Sequence, residues 1–248
     1  MKAAVLIRNA MKAVNWRKFR VRPFYCPVCS HSSVIVRLDA SPIGIRCLRC
    51  LATGVHMSIV EVITEVVPDL ESKHVYELSS RGALFNYLQK NAGALTYSEY
   101  FDDVVYGEYR NGIQCQDVEK LTYEDCIFDV CTSTEVFEHV TNDIGGFSEV
   151  LRVLKPGGIF LFTVPLNSGC TVERVRKHPI QNGELEYLLP PKYHDDLLRG
   201  ASNVLVFRDY GIDIVNRLEM SGFTKAEILI PNGHLPWGYE ASVIVAYK

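Results

Sequence analysis

The chain contains no apolar run approaching the roughly 20 residues that cross a bilayer, which excludes a helical membrane span. It has no excess of positive charge. The formal net charge is −3 at pH 7, so the molecule as a whole is not a strongly basic nucleic-acid binder. Eight cysteines in 248 residues are too sparse for a small secreted disulfide scaffold. No segment repeats and none is of low complexity. Residues 3–7 are too short an apolar stretch for a secretory signal, and no suitable cleavage region follows. A mitochondrial transit peptide, equally rich in arginine and poor in acids, stays open. The compartment otherwise reads as reducing and cytosolic. What is there, 48% hydrophobic and 22% charged residues, is the composition of an ordinary globular protein. The length suits one large domain, or one with a small appendage.

The mean charge hides an asymmetry. Residues 1–22 carry Lys2, Arg8, Lys12, Arg17, Lys18, Arg20 and Arg22 and no acid. The rest of the chain holds 19 basic against 29 acidic residues. Val5, Leu6, Ala10 and Val14 share one helical face, so 1–22 is expected to be a basic amphipathic helix. It would pack on the next domain, or lie on an anionic membrane surface or RNA.

Residues 23–54 hold Cys26-Pro-Val-Cys29 and Cys47-Leu-Arg-Cys50, separated by 17 residues. This is the spacing of a four-cysteine zinc site. Each C-x-x-C turn aims two thiolates at one point, and two turns complete a tetrahedron. About thirty residues cannot bury a sufficient core, so a metal would replace one. Residues 34–38 and 44–46 read as strands of a zinc ribbon. Four sulfur ligands leave no open position, so the site would be structural. His31, close by, is a bystander.

Residues 55–248 alternate short apolar strands with helical patterns. A helix over 56–67 ends at Pro68. Strands follow at 75–78, 95–99, 113–117, 128–134 and 159–164, with helices over 82–89 and 144–154. Lys155-Pro-Gly-Gly158 is expected to be a turn. A helix over 211–221 and strands at 225–230 and 242–247 close the pattern. The alternation indicates an α/β fold with a doubly wound, mostly parallel, seven-stranded sheet. Residues 166–206 have the weakest periodicity and read as an insertion or lid.

Ligands of such sheets bind beyond the carboxyl ends of the strands. Glu77 ends the first strand. Glu99 ends the second, 22 residues later, which suits a carboxylate accepting from ribose hydroxyls. Asp117 ends the third and is placed to accept from an adenine amino group. A nicotinamide-dependent oxidoreductase would want Gly-x-Gly-x-x-Gly after the first strand, and 79–83 (Ser-Ser-Arg-Gly-Ala) does not supply it.

The stretches Val75-Tyr-Glu-Leu78, Gln116-Asp117, Phe128-Asp-Val130, Glu135-Val-Phe-Glu-His-Val140 and Leu151-Arg-Val-Leu-Lys-Pro-Gly-Gly158 resemble the class I S-adenosylmethionine-dependent methyltransferases, of the type 11 kind. The resemblance implies a Rossmann-like sheet and S-adenosylmethionine as cofactor, beside the structural Zn2+. Glu77, Ser79, Ser80, Arg81 and Gly82 would lie by the methionine part. Glu99 would bind the ribose, and Tyr100 would lie against the adenine. Asp117 and the backbone of Val118 would read its edge. Ser133 and Thr134 would line the floor near the sulfonium. One feature departs from the family pattern: Ser79, Arg81 and Ala83 stand where its first loop has glycines. A serine here could cap the next helix, and Arg81 could pair with the cofactor's carboxylate.

The candidates for a base are His139, Glu135 and the 193–196 cluster, of which Tyr193 and His194 are the strongest. Some sugar methyltransferases and a ribosomal-RNA methyltransferase carry an N-terminal zinc module. The acidic body argues against RNA, although 1–22 could supply phosphate contacts. The expected acceptor is a small molecule or glycan, with peripheral membrane contact through 1–22. A non-catalytic methyltransferase-fold scaffold that binds a partner protein is the alternative of another class.

Overall fold

The computed structural model describes residues 17–39, 41–167, 169–177, 185–196, 201–231, 235–238 and 240–248. The first sixteen positions of the expected basic helix lie outside the described residues. The remainder of that expectation is corrected: Arg20, Val21 and Arg22 begin a strand, β1 (Arg20–Cys26). β1 pairs antiparallel with β2 (His31–Arg37), which pairs with β3 (Ile45–Cys47). The physical reason is the pairing itself. Seven consecutive residues of β1 find partners on β2, from Arg20 opposite Arg37 to Cys26 opposite His31.

Both cysteine turns have the same backbone. Ser30 N–H donates to Cys26 O and Leu51 N–H donates to Cys47 O, each at 2.9 Å. Ser30 and Leu51 close these turns in the left-handed region, at φ 53° and 61°. Thr53 then caps α1 (Gly54–Val66). Its hydroxyl accepts from His56 N at 3.2 Å, and His56 Nδ1 accepts from Thr53 N at 3.1 Å. Loss of such a cap costs about 1 kcal/mol, or about 2–4 °C in a chain of this size. Thr53→Ala should lower the melting midpoint by that much in a calorimetric scan.

Then come β4 (His74–Glu77), α2 (Gly82–Asn91), β5 (Ala94–Glu99), β6 (Tyr109–Arg110), β7 (Ile113–Cys115), β8 (Phe128–Thr134), α3 (Asp143–Val153) and β9 (Leu154–Thr163). The chain ends with α4 (Ile214–Met220), β16 (Lys225–Leu229) and β17 (Val243–Tyr247), numbered after six short strands of the insertion. One sheet orders its eight strands β16-β17-β9-β8-β4-β5-β7-β6. Strands β9, β8, β4, β5 and β7 are parallel neighbours. β17 is antiparallel to both of its neighbours, and the two-residue β6 adds an eighth, antiparallel edge. The Rossmann-like expectation holds. From β4 the chain steps outward to β5 and β7, and from β8 it steps the other way to β9. The switch point therefore lies between β4 and β8, where such sheets bind ligands.

The central strands are apolar on both faces, and alternation sends neighbours to opposite sides. Val75, Val130, Leu161 and Val245 face α1 and α2. Tyr76, Cys131, Phe160 and Ile244 face α3 and α4. The ribbon is not a separate module. Cys26, Val28, Ile35, Ile45, Cys47 and Ala52 belong to the same core as Met57, Ile59, Leu84 and Val243.

The turn expected at 155–158 is corrected. Those residues are the first part of β9, which begins at Leu154. A register shift between Phe128 and Val130 absorbs the irregularity. Gly157 takes φ +76°, and a Cβ on Gly158 would come within 2.9 Å of Lys155 O and 3.1 Å of Asp129 O. The glycines permit a distorted strand rather than a reversal.

The expected insertion, with the residues just after it, forms three antiparallel pairs: β10 (Val172–Glu173) with β15 (Arg208–Asp209), β11 (Val175–Lys177) with β12 (Leu185–Tyr187), and β13 (Tyr193–Asp196) with β14 (Ala201–Leu205). Among the described residues, no helix is long and apolar enough to cross a membrane.

Candidate active site

Four strand ends converge at the switch point. At the end of β4, Glu77 is buried, and its carboxylate accepts from Thr132 Oγ1 on β8. Burial pushes its pKa up to about 8, with nearby Glu99 adding to the rise. The folded chain therefore keeps a proton that the unfolded chain releases above the usual glutamate range. Stability from this group is full below about pH 4.5 and falls as pH rises toward 8, by up to about 1.4 kcal/mol per unit. Glu77→Gln should narrow the difference in urea unfolding free energy between pH 5 and pH 8. An unchanged difference would show Glu77 ionised throughout.

At the end of β5, Glu99 is buried as well. Its Oε1 accepts from Ser80 N at 3.0 Å, Ser80 Oγ at 2.9 Å and Ser79 Oγ at 3.3 Å. Arg81 Nε lies 3.5 Å away. The serines therefore do not cap α2, which corrects that expectation. The N-cap is Arg81, with no side-chain cap bond, because both hydroxyls turn to the carboxylate. Within 79–83 only Gly82 has positive φ, at +97°. Ser79, Arg81 and Ala83 sit where a side chain costs nothing in backbone strain. The loop needs one glycine, and it has that one.

After β7, Asp117 Oδ1 accepts from Glu119 N at 2.9 Å. Tyr106, beside it, has its hydroxyl pKa raised, first by a hydrogen bond to Asp117 and then by burial. Its ring lies 6.4 Å from that of Tyr100, which is 46% exposed. Val118 is buried among the α3-side core. Ser133 is buried on β8 and its hydroxyl has no hydrogen-bond partner among the described residues. Thr134 ends β8, in register with Thr163. Tyr106 was not singled out from the sequence. Its one signal was an aromatic residue eleven positions before an acidic strand end, too loose a pattern to read.

Residues 76–162, from β4 to β9, match the methyltransferase domain. A ubiquinone biosynthesis O-methyltransferase of Coxiella burnetii (strain Dugway 5J108-111) is 31% identical over 103 residues. That match covers 38% of this chain and 44% of the relative, so the chain spans less than half of its curated relatives' length. Two crystal structures are similar. One is an S-adenosylmethionine-dependent methyltransferase from Mesorhizobium loti, with 17% identity, TM-score 0.47, and 75% and 96% of the two chains covered. The other is the 1,6-didemethyltoxoflavin-N1-methyltransferase of Burkholderia thailandensis, with 13% identity, TM-score 0.47, and coverage of 92% and 99%.

A short turn over residues 137–139 follows β8 and carries two of the base-candidate region's residues, Glu138 and His139. His139 and His194 meet edge to face, with ring centroids 5.2 Å apart. The insertion makes the meeting. Phe207 N donates to Glu138 O at 2.8 Å, which lays the end of the insertion along the turn. His194 stands opposite Val204 in the adjoining pair. Buried Arg208 fixes the contact by donating to Val140 O at 2.8 Å and Thr141 O at 3.0 Å. Tyr193 is not brought in. It is 47% exposed and its hydroxyl is bonded to Tyr187, because neighbours on a strand point to opposite faces. Glu135, at φ 53°, is partly buried and Glu138 is buried, and loss of solvent raises both carboxyl pKa values. The charge of Glu138 raises Glu135 further, while His139 pulls Glu138 back down.

The four ribbon cysteines converge too. Their sulfurs lie within 4.8 Å of one another, and Cys26 Sγ is 3.7 Å from Cys50 Sγ. A zinc tetrahedron with bonds of about 2.3 Å has sulfur–sulfur edges of about 3.8 Å. His31 Nδ1 is engaged with Cys29 O and stands outside the set.

Proposed function

We propose that this chain is an S-adenosylmethionine-dependent methyltransferase acting on a hydroxyl-bearing small molecule or glycan, with a zinc ion in its ribbon. The observation that carries the reading is the pair Glu99 and Asp117. Glu99 ends β5 and Asp117 follows its parallel neighbour β7, beside the switch point, with the Ser79–Arg81 segment on one and Tyr106 on the other. The residues present fit the cofactor. Glu99 would accept from the ribose hydroxyls, with its serine donors displaced. Asp117 would accept from the adenine amino group, and Tyr100 and Tyr106 would cover the ring. Arg81, freed from Glu99, would pair with the cofactor's carboxylate. The unpartnered hydroxyl of Ser133 would face the methionine part.

When bound, the cofactor supplies an electrophilic methyl group on a sulfonium, and the protein supplies orientation. An acceptor hydroxyl must also lose its proton, and the Glu135, Glu138, His139 and His194 group sits at the same end of β8 to receive it. The relative named as an O-methyltransferase supports an oxygen acceptor, and the acidic body supports a small molecule over RNA.

The test is calorimetric titration of zinc-loaded protein with S-adenosylhomocysteine. One-to-one binding is expected, weakened about tenfold by Asp117→Ala, the value of one hydrogen bond to a charged group. No binding by folded wild-type protein would sink the reading and leave the scaffold alternative.

A further inference from the structure

We propose that Glu138, His139 and His194 form a second metal centre, a two-histidine, one-carboxylate site for a divalent transition-metal ion. The first observation is Glu138. It is 2% exposed, and neither carboxylate oxygen has a hydrogen-bond partner among the described residues. A buried carboxylate left in that state is costly unless it takes up a proton or a cation meets it. The second is the tautomer of His139. Its Nδ1 lies 2.8 Å from the carbonyl oxygen of Leu205. A carbonyl only accepts, so Nδ1 carries the hydrogen and Nε2 carries a lone pair. That Nε2 faces Glu138 Oε1 at 3.7 Å. With Glu138 ionised, two acceptors face each other across a gap too long for a hydrogen bond.

Metal-bound imidazoles have this arrangement, with the second ring nitrogen donating to a carbonyl or carboxylate. His194 Nδ1 lies 3.6 Å from the same Glu138 oxygen. The three ligand atoms lie within 4.8 Å of one another. Bonds of about 2.0–2.2 Å to one ion give separations between ligands of about 3–4 Å, and both histidine nitrogens stand at such a distance, 3.7 and 3.6 Å, from the Glu138 oxygen. Two nitrogens and one carboxylate suit manganese, iron, cobalt or zinc better than calcium. Three protein ligands leave positions open. The ammonium of Lys192 donates to Asp209 at 3.0 Å.

Binding of the ion does not depend on methyl transfer. Its role does rest on that reading: the open positions would hold an oxygen of the acceptor and acidify its hydroxyl. His194 comes from the insertion, so the centre would exist only when the insertion is docked.

The test is an electron paramagnetic resonance titration of the full chain, purified with one zinc per molecule, with Mn2+. This hard ion leaves thiolates alone. One saturable Mn2+ site per chain is expected. Glu138→Gln and His194→Ala should each weaken it at least tenfold, with zinc content and melting midpoint retained. His194 is partly exposed on a short strand, so its variant tests the site even where Glu138→Gln fails to fold. Saturable binding lost in His194→Ala supports the centre. No saturable binding by wild-type protein, or equal binding by wild type and His194→Ala, overturns it. Titration of the same samples with S-adenosylhomocysteine reports the methyltransferase reading separately.

Discussion

The double substitution Cys26→Ser, Cys47→Ser should abolish zinc binding and lower the melting midpoint by more than about 10 °C, or leave the chain unfolded. Structural zinc contributes about 10–16 kcal/mol of apparent binding energy in small modules, as much as the whole stability of an ordinary domain. The loss would not stay in the ribbon. Cys26 and Cys47 are fully buried and lie in one core with Met57, Ile59 and Leu84 of the domain helices. Two unsatisfied hydroxyls there would face apolar neighbours on both sides. Cys170→Ser, at an exposed cysteine outside the sulfur cluster, should change stability by less than about 0.5 kcal/mol. Metal analysis by mass spectrometry and circular-dichroism melts read both effects. Wild-type protein that melts normally without zinc would show that the thiols need no metal.

Glu99→Ala should reduce affinity for S-adenosylhomocysteine about 10²–10³-fold. Two hydrogen bonds from ribose hydroxyls to an ionised carboxylate contribute about 1.5–3 kcal/mol each, against a loop that releases its own bonds on binding. The substitution also removes the acceptor that gathers Ser79, Ser80 and Arg81. Loop order and ribose recognition would then fail together. Glu99→Gln separates them, since the amide oxygen still accepts from Ser80 while the charge is gone. It should fall between wild type and alanine. If alanine binds as tightly as wild type, the ribose lies elsewhere.

Much of this was legible along the chain because it depends on local spacing. The two cysteine pairs, the alternation of apolar strands and helices, and the acids at 77, 99 and 117 need only neighbours a few residues away to be recognised. The errors came where a residue's partner is distant. Arg20–Arg22 read as helix because the alternation of β1 is masked by charge until β2 pairs with it. Residues 155–158 read as a turn from their composition, whereas Phe128, Asp129 and Lys248 hold them as a strand: Lys155 Nζ reaches both oxygens of Asp129, and Gly157 N donates to Lys248 O. Ser79 and Ser80 read as caps, but a buried carboxylate is a stronger acceptor than a helix terminus.

The sequence by itself determined the two paired cysteine turns, the order of the doubly wound elements and which acids stand at or just after strand ends, since residue type and period are properties of the chain. Only the tertiary structure decided that the ribbon shares the domain's core, that Tyr193 turns away, and that His139 and His194 meet at Glu138. Those outcomes depend on sheet register and on the buried Arg208 contact. These bring together residues more than fifty positions apart, and no local pattern encodes that distance.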